Sequence, residues 1–293
     1  MGRLTTIRDG ALEATVDSQG AQLMSLALEG REYLWQGDPA WWPRRAPVLF
    51  PTVGVLAGDE ATSAQGPVRL KRHGIARLYE HEVVAEEPSS VTYRLGSSPE
   101  TREAYPFDFR LEMTYSLAAG ALSQRFRVTN VGAVDLPFSL GGHPAFNVPV
   151  PGAGDAFEDY ELRFERAWTC ASPAIDADGL YDFSHMLPVV EDADALPMSH
   201  ALFERHLTIT LADVPGSRVT LAGPAGRGVE VAFEGFPYLG VWSAEGGAPF
   251  VAIEPWCGLA SAHDEDGSLE GKRGIVTLEP GGVFERTFSV RPF

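Results

Sequence analysis

Residues 110–117 read Arg-Leu-Glu-Met-Thr-Tyr-Ser-Leu, and residues 122–129 read Leu-Ser-Gln-Arg-Phe-Arg-Val-Thr. In both, apolar and polar side chains alternate. A strand turns successive side chains to opposite faces, so this alternation predicts strands with one face buried and one solvated. Similar segments recur outward in both directions. Towards the N-terminus they are Leu4–Arg8, Ala11–Asp17, Gln22–Leu28, Tyr33–Trp35 and Val91–Leu95. Towards the C-terminus they are Asp135–Leu140, Tyr160–Phe164, Leu207–Ala212, Arg218–Ala222, Val229–Phe233, Leu239–Ser243, Phe250–Glu254, Gly274–Glu279 and Val283–Val290. Turn pairs such as Asp9-Gly10 and Glu29-Gly30 punctuate them at hairpin spacing. No long stretch has the helical period, although short helical turns are expected near Pro39–Trp42 and His200–His206. Many short strands with few helices predict an all-β sandwich or barrel. No linker, repeat or compositional break divides the chain, so one domain is expected over residues 1–293.

Composition narrows the function. The chain has 293 residues, 44% of them hydrophobic, an ordinary globular profile. No apolar run approaches the ~18 residues of a membrane helix, and the first residues already alternate like a strand instead of forming a signal peptide. The formal net charge of -17 disfavours nucleic acid and anionic membranes as partners. Cys170 and Cys257 are the only cysteines. Two distant thiols make neither a disulfide framework nor a zinc site, and both are read as reduced thiols of a cytoplasmic protein.

Three stretches carry candidate chemistry. In Leu140-Gly141-Gly142-His143-Pro144-Ala145-Phe146, two glycines allow a close backbone approach, and the proline presses His143 towards an extended conformation. The result is one imidazole at a strand end, suited to acid–base work, although a core histidine also fits. In Pro249-Phe250-Val251-Ala252-Ile253-Glu254-Pro255-Trp256, a glutamate closes an apolar strand. Burying it is costly unless it is hydrogen-bonded, paired or used as a base whose pKa is raised. Between Trp35 and Arg77, tryptophans and prolines crowd together with Arg44, Arg45, Arg69, Lys71, Arg72 and Arg77, a basic cluster in an acidic chain. This composition suits a pocket with aromatic walls and charged donors for a polar ring such as a sugar. A rim of tryptophans with solvated arginines is the structural alternative. Phosphate-loop, dinucleotide and hydrolase-elbow motifs do not occur. Asp176-Ala177-Asp178-Gly179 reads as a turn, not a calcium loop. His263-Asp264-Glu265-Asp266 reads as a solvated acidic loop, and no metal is expected.

Taken together, His73-Gly74, Gly142-His143-Pro144-Ala145-Phe146 and Ile253-Glu254-Pro255-Trp256-Cys257-Gly258 resemble the aldose 1-epimerase (galactose mutarotase) superfamily, in particular its LacX-like branch. Trp35-Gln36-Gly37-Asp38-Pro39, Pro47-Val48-Leu49-Phe50-Pro51, Tyr238-Leu239-Gly240-Val241-Trp242 and Lys272 extend the match, in order, over nearly the whole chain. The resemblance implies a large antiparallel β-sandwich with a sugar site in a cleft and a mechanism without a cofactor. By the same resemblance, Glu254 is the base that takes the C1 hydroxyl proton, His143 is the acid that protonates the ring oxygen, and His73 hydrogen-bonds the sugar beside it. Trp42 is expected in the substrate wall. The arginine near the ring is matched by Arg45 or Arg77, and the acidic residue that grips sugar hydroxyls is matched by Glu204. The expected ligand is a free aldohexose, with a hexose 6-phosphate as the alternative, since Arg44, Arg45 and Arg72 lie in places comparable to those the related 6-phosphate group uses to hold phosphate. A sugar-binding protein without turnover is the alternative of another class, although pure binding needs no acid–base pair. A glycosidase needs a second placed carboxylate.

Overall fold

The computed structural model describes residues 2–293. Strands make up 51% of it and helices 9%, and the large sheets are antiparallel. A nine-stranded sheet runs in the order Tyr181–Pro197, Glu161–Ile175, Arg218–Ala222, Gly228–Ala232, Val283–Pro292, Ala121–Asn130, Phe109–Ala118, Ser90–Gly96, Glu82–Glu87. The strand Phe109–Ala118 shows why it forms. Phe109, Leu111, Met113, Tyr115 and Leu117 are buried, while the residues between them are half-buried. On that outer face Glu112 lies opposite both Arg94 and Arg127 and accepts from Arg94 at 2.9 Å. Cross-strand pairing of opposite charges keeps this face solvated and in register.

A second sheet faces the first across the core. Its path is Thr208–Ala212, Tyr238–Trp242, Phe250–Cys257, Leu140–Gly142, Val48–Leu49, with Ala145–Asn147 also paired to Phe250–Cys257. Phe250–Cys257 is buried on both faces. Val251, Ile253 and Cys257 join the main core, whereas Phe250, Ala252, Glu254 and Trp256 leave from the other side. A four-stranded sheet, Leu4–Asp9 to Arg31–Glu32, packs its apolar face into the same core. No helix is long and apolar enough to cross a membrane.

Several elements depart from the sequence reading. The segment at Tyr160–Phe164 is the start of a strand of 15 residues, Glu161–Ile175, paired with a strand of 17, Tyr181–Pro197. Repeated register shifts break the alternation of this hairpin, and Pro188, Glu191, Asp192 and Asp194 suit an edge strand that must not pair further. Helix Pro99–Ala104 was not anticipated; it is announced only by Ser98, whose hydroxyl accepts from Thr101 N. His200–His206 is helical as expected, and near Pro39–Trp42 a single helical turn forms, with Trp41 N and Trp42 N both donating to Asp38 O at 3.0 Å. Asp176 does head a turn, its Oδ1 accepting from Asp178 N and Leu180 N.

The two faces of the large sheet give a direct stability test. Phe126 is fully buried and its neighbour Arg125 faces outward. Phe126→Ala is expected to cost ~3–5 kcal/mol, and Arg125→Ala about 0.5 kcal/mol or less. Urea midpoints of the two variants against wild type check this.

Candidate active site

The second sheet brings His143 to Glu254 by register. Leu140 pairs with Cys257 and Gly141 with Trp256; beyond the break, Ala145 pairs with Ala252, and Ile253 N donates to Pro144 O. Both short strands keep one register, which places His143 across from Glu254. Their side chains stand 3.3 Å apart, His143 Nε2 to Glu254 Oε1, and are 6% and 1% exposed as residues. The imidazole is held on three sides: Trp42 stacks on it at 4.8 Å, while Trp242 and His73 meet it edge-on at 5.5 and 5.4 Å.

His73 is set by strained backbone. It lies at φ 67° with Gly74 at φ 69° behind it, and a side chain on Gly74 would meet the Phe50 carbonyl oxygen at 2.4 Å. Such a conformation in a residue with a side chain marks a place where the fold imposes geometry. Gly54 N donates to His73 Nδ1 at 3.1 Å. The acceptor nitrogen is therefore Nδ1, and the neutral ring carries its proton on Nε2. Burial, then the charges of His143, Arg72, Arg77 and Arg44, hold the ring well below its usual pKa. His73 is thus a fixed hydrogen-bond donor.

These groups line a cavity of 710 Å³, a size within the range of small-molecule sites. Trp42, Arg77, His73, His143 and Glu254 all reach it, as expected. Arg45 and Glu204 do not. Arg45 Nη1 turns away to Met24 O and Gln36 Oε1 at 2.5 and 2.7 Å. Glu204 is exposed on helix His200–His206, which presents Phe203 and Leu207 to the cavity instead. The acidic residues that do reach the cavity, besides Glu254, are Asp176 and Glu245. Asp176 belongs to the hairpin turn and pairs with His263 at 3.0 Å. Arg44, Arg72, Trp242 and Trp256 also line the cavity. Among the described residues, no cluster of side chains is arranged to hold a metal ion.

The acid–base character of the pair follows from its burial. Burial raises the Glu254 carboxyl well above its usual range, opposed by the nearby Trp256 indole and the Arg72 charge. Burial likewise lowers His143 to about 3. Both shifts favour the neutral form of each group, so a proton held by the pair rests preferentially on the carboxyl. A pair with one proton can accept at one oxygen and donate at another in a single passage.

Residues 3–287 match the profile of the family described as aldose 1-epimerase. The chain belongs to the aldose 1-epimerase family. It is 34% identical to the plasmid-borne protein LacX of Lactococcus lactis subsp. lactis over 280 residues, 92% of this chain and 93% of that one. Among solved structures it is similar to a galactose mutarotase related enzyme from Lactobacillus acidophilus, at TM-score 0.93, with 31% identity and coverage of 99% and 97% of the two chains. A galactose mutarotase-like protein from Lactobacillus casei gives a TM-score of 0.91 at 32% identity, covering 99% and 100%. The galactose mutarotase-like β-sandwich expected from sequence is thus the fold of this family member.

The shared proton sets a pH dependence. Because His143 is lowered to about 3, its ring resonances are expected to show no step near the ordinary histidine value of ~6.5 when followed by NMR from pH 8 to 5. A full titration step in that window would contradict the buried-pair assignment.

Proposed function

We propose that the protein is an aldose 1-epimerase that interconverts the α and β anomers of an aldohexose, and that His143, Glu254 and His73 carry the reaction. The observation that supports it most is the His143–Glu254 pair, 3.3 Å apart and buried at the floor of an aromatic-walled cavity. Glu254 takes the proton of the C1 hydroxyl as the C1–O5 bond breaks. His143 delivers a proton to O5. The C1–C2 bond of the open aldehyde rotates, and closure on the other face returns both protons by the reverse route. For the first step the shared proton must sit on His143, and binding of a hydroxyl at Glu254 favours that shift by hydrogen-bonding the carboxylate. The Nε2 proton of His73 steadies the charge that develops at the ring oxygen. Trp42 and Trp242 offer apolar faces to the sugar. An acid and a base placed in this way each supply roughly 10²–10⁴-fold.

A specific feature favours the 6-phosphate form of the substrate over the free sugar. Arg44, Arg72 and Arg77 line one cavity, and all three charges are felt at His73. Their neighbours Arg69 and Lys71 are each paired with a carboxylate, Glu60 and Asp59. Among the described residues, Arg44, Arg72 and Arg77 have no such partner, and Arg77 Nε is buried without a hydrogen bond. In an acidic chain, cations left unpaired beside one another suit an anionic group on the ligand, and guanidinium groups bind phosphate in bidentate fashion. The cluster borders His143, the group assigned to O5, and C6 is the substituent arm next to O5.

Two outcomes test the proposal. Glu254→Gln and His143→Ala are each expected to lower the enzymatic rate of anomer equilibration, followed by polarimetry on fresh α-aldose, by roughly 10²-fold or more, with the β-rich circular dichroism spectrum of the folded protein retained. Wild-type rates in either variant would remove the assignment. Arg44→Ala is expected to raise KM for glucose 6-phosphate roughly 10-fold or more, the value of a lost charged hydrogen bond, and to leave KM for free glucose unchanged. Equal effects on both sugars would remove the phosphate reading alone.

A further inference from the structure

Two polar atoms on the cavity side of strand Phe250–Cys257 are buried without a partner: Glu254 Oε2 and Trp256 Nε1. A carboxylate oxygen accepts and an indole nitrogen only donates. The residues are two apart on one strand, so their side chains leave the same face. Both line the same cavity, with Trp256 4% exposed. A donor and an acceptor that are both unsatisfied and both desolvated, on side chains that leave one face of the strand, carry an energetic cost. Ionising Glu254 converts that cost into a charge-assisted hydrogen bond.

The fold goes to some length to seat this indole. Its strand is flanked by Gly141, opposite Trp256, and Gly240, opposite Glu254. A Cβ on Gly141 would lie 2.6 Å from Trp256 Cδ1, and one on Gly240 2.3 Å from Cζ2. Neither glycine has a positive φ. Their backbone would admit any residue; at Gly240 what forbids a side chain is the ring itself, and at Gly141 it is the ring together with the Pro255 carbonyl oxygen at 2.8 Å. The indole lies across two neighbouring strands on surface that only glycine leaves free, an arrangement that fixes the direction of its N–H. Burial alone would keep Glu254 protonated, and the Trp256 indole is among the groups that oppose it.

We propose that Trp256 is a positioning residue for Glu254: its indole N–H donates to Oε2 when the carboxylate forms, holding Oε1 towards His143, and Gly141 and Gly240 form the seat that aims it. Its part in turnover rests on the epimerase reading; the hydrogen bond itself does not.

The bond is read on the free protein. In a ¹⁵N-labelled sample, the indole resonance of Trp256, assigned by its loss in Trp256→Phe, is followed with pH. The expected result is a downfield proton shift as Glu254 ionises, absent in Glu254→Gln. A resonance that does not move, or that moves equally in Glu254→Gln, overturns the proposal. No sugar is needed, so a chain without epimerase activity would still report the bond, and the two readings fail separately. In turnover, Trp256→Phe keeps an aromatic ring in the seat and loses the donor together with part of the indole. It is expected to lower kcat about tenfold, the weight of one such bond, with KM little changed. Glu254 without its donor holds its proton more tightly, so the alkaline limb of the pH–rate profile moves to higher pH. Gly240→Ala, which keeps the N–H but displaces the ring, is expected to do the same. Wild-type kcat and an unmoved limb in folded Trp256→Phe overturn the proposal.

Discussion

The site depends on one constraint: a carboxyl and an imidazole forced together where water cannot solvate either. Away from water, both groups prefer to be neutral, so one proton is shared between them. Removing either partner leaves a buried polar group unsatisfied, and exposing the pair to solvent would return each to its ordinary pKa. The register of three strand segments imposes the contact. Leu140–Gly142 and Ala145–Asn147 grip Phe250–Cys257 on either side of His143-Pro144, so the imidazole cannot slide along the carboxylate strand without breaking both ladders.

The surroundings follow from serving that pair. Trp42 and Trp242 keep the imidazole dry and fixed in orientation. His73, in left-handed backbone with Gly54 N donating to its Nδ1, offers its Nε2 proton beside the pair. Glycine on the strands beside Glu254 is a spatial requirement, because the sheet surface there is covered by an indole instead of by side chains of its own. Along the same cavity, Arg44, Arg72 and Arg77 have no carboxylate partner among the described residues. The site thus joins a buried acid–base pair to a cationic side.

Much of the fold was legible because its largest sheet is buried on one face only. Residues 109–130 alternate in sequence for the same reason they alternate in exposure. Phe250–Cys257 is buried on both faces and shows no alternation, so its cavity side had to be inferred from the one charged residue in it. Glu254 stood out by its cost. The pairing with His143 was not readable from spacing, since it joins residues far apart through strand register; only the resemblance linked them. Arg44 and Arg45 are adjacent in an irregular segment and point to opposite destinations, and nothing in their own sequence distinguishes them. Glu204 sits one residue after Phe203, and the turn of the short helix sends the aromatic ring, not the carboxylate, to the cavity. Asp176 was recognised as a turn, but its arrival at the cavity depends on a long irregular hairpin whose second strand has no clear pattern.

The central claim is that the enzyme moves protons only between oxygens of the sugar and its own pair, leaving every C–H bond intact. Proton exchange NMR on an equilibrated aldose, free and then 6-phosphorylated, in D₂O with wild-type protein tests it most directly. The expected result is accelerated magnetisation transfer between the α and β C1 protons, with both C1–H and C2–H signals undiminished over many turnovers. Loss of the C2–H signal to deuterium would show carbon-bound proton abstraction, and no acceleration with either sugar would show that the pair does not open this ring; either result contradicts the account.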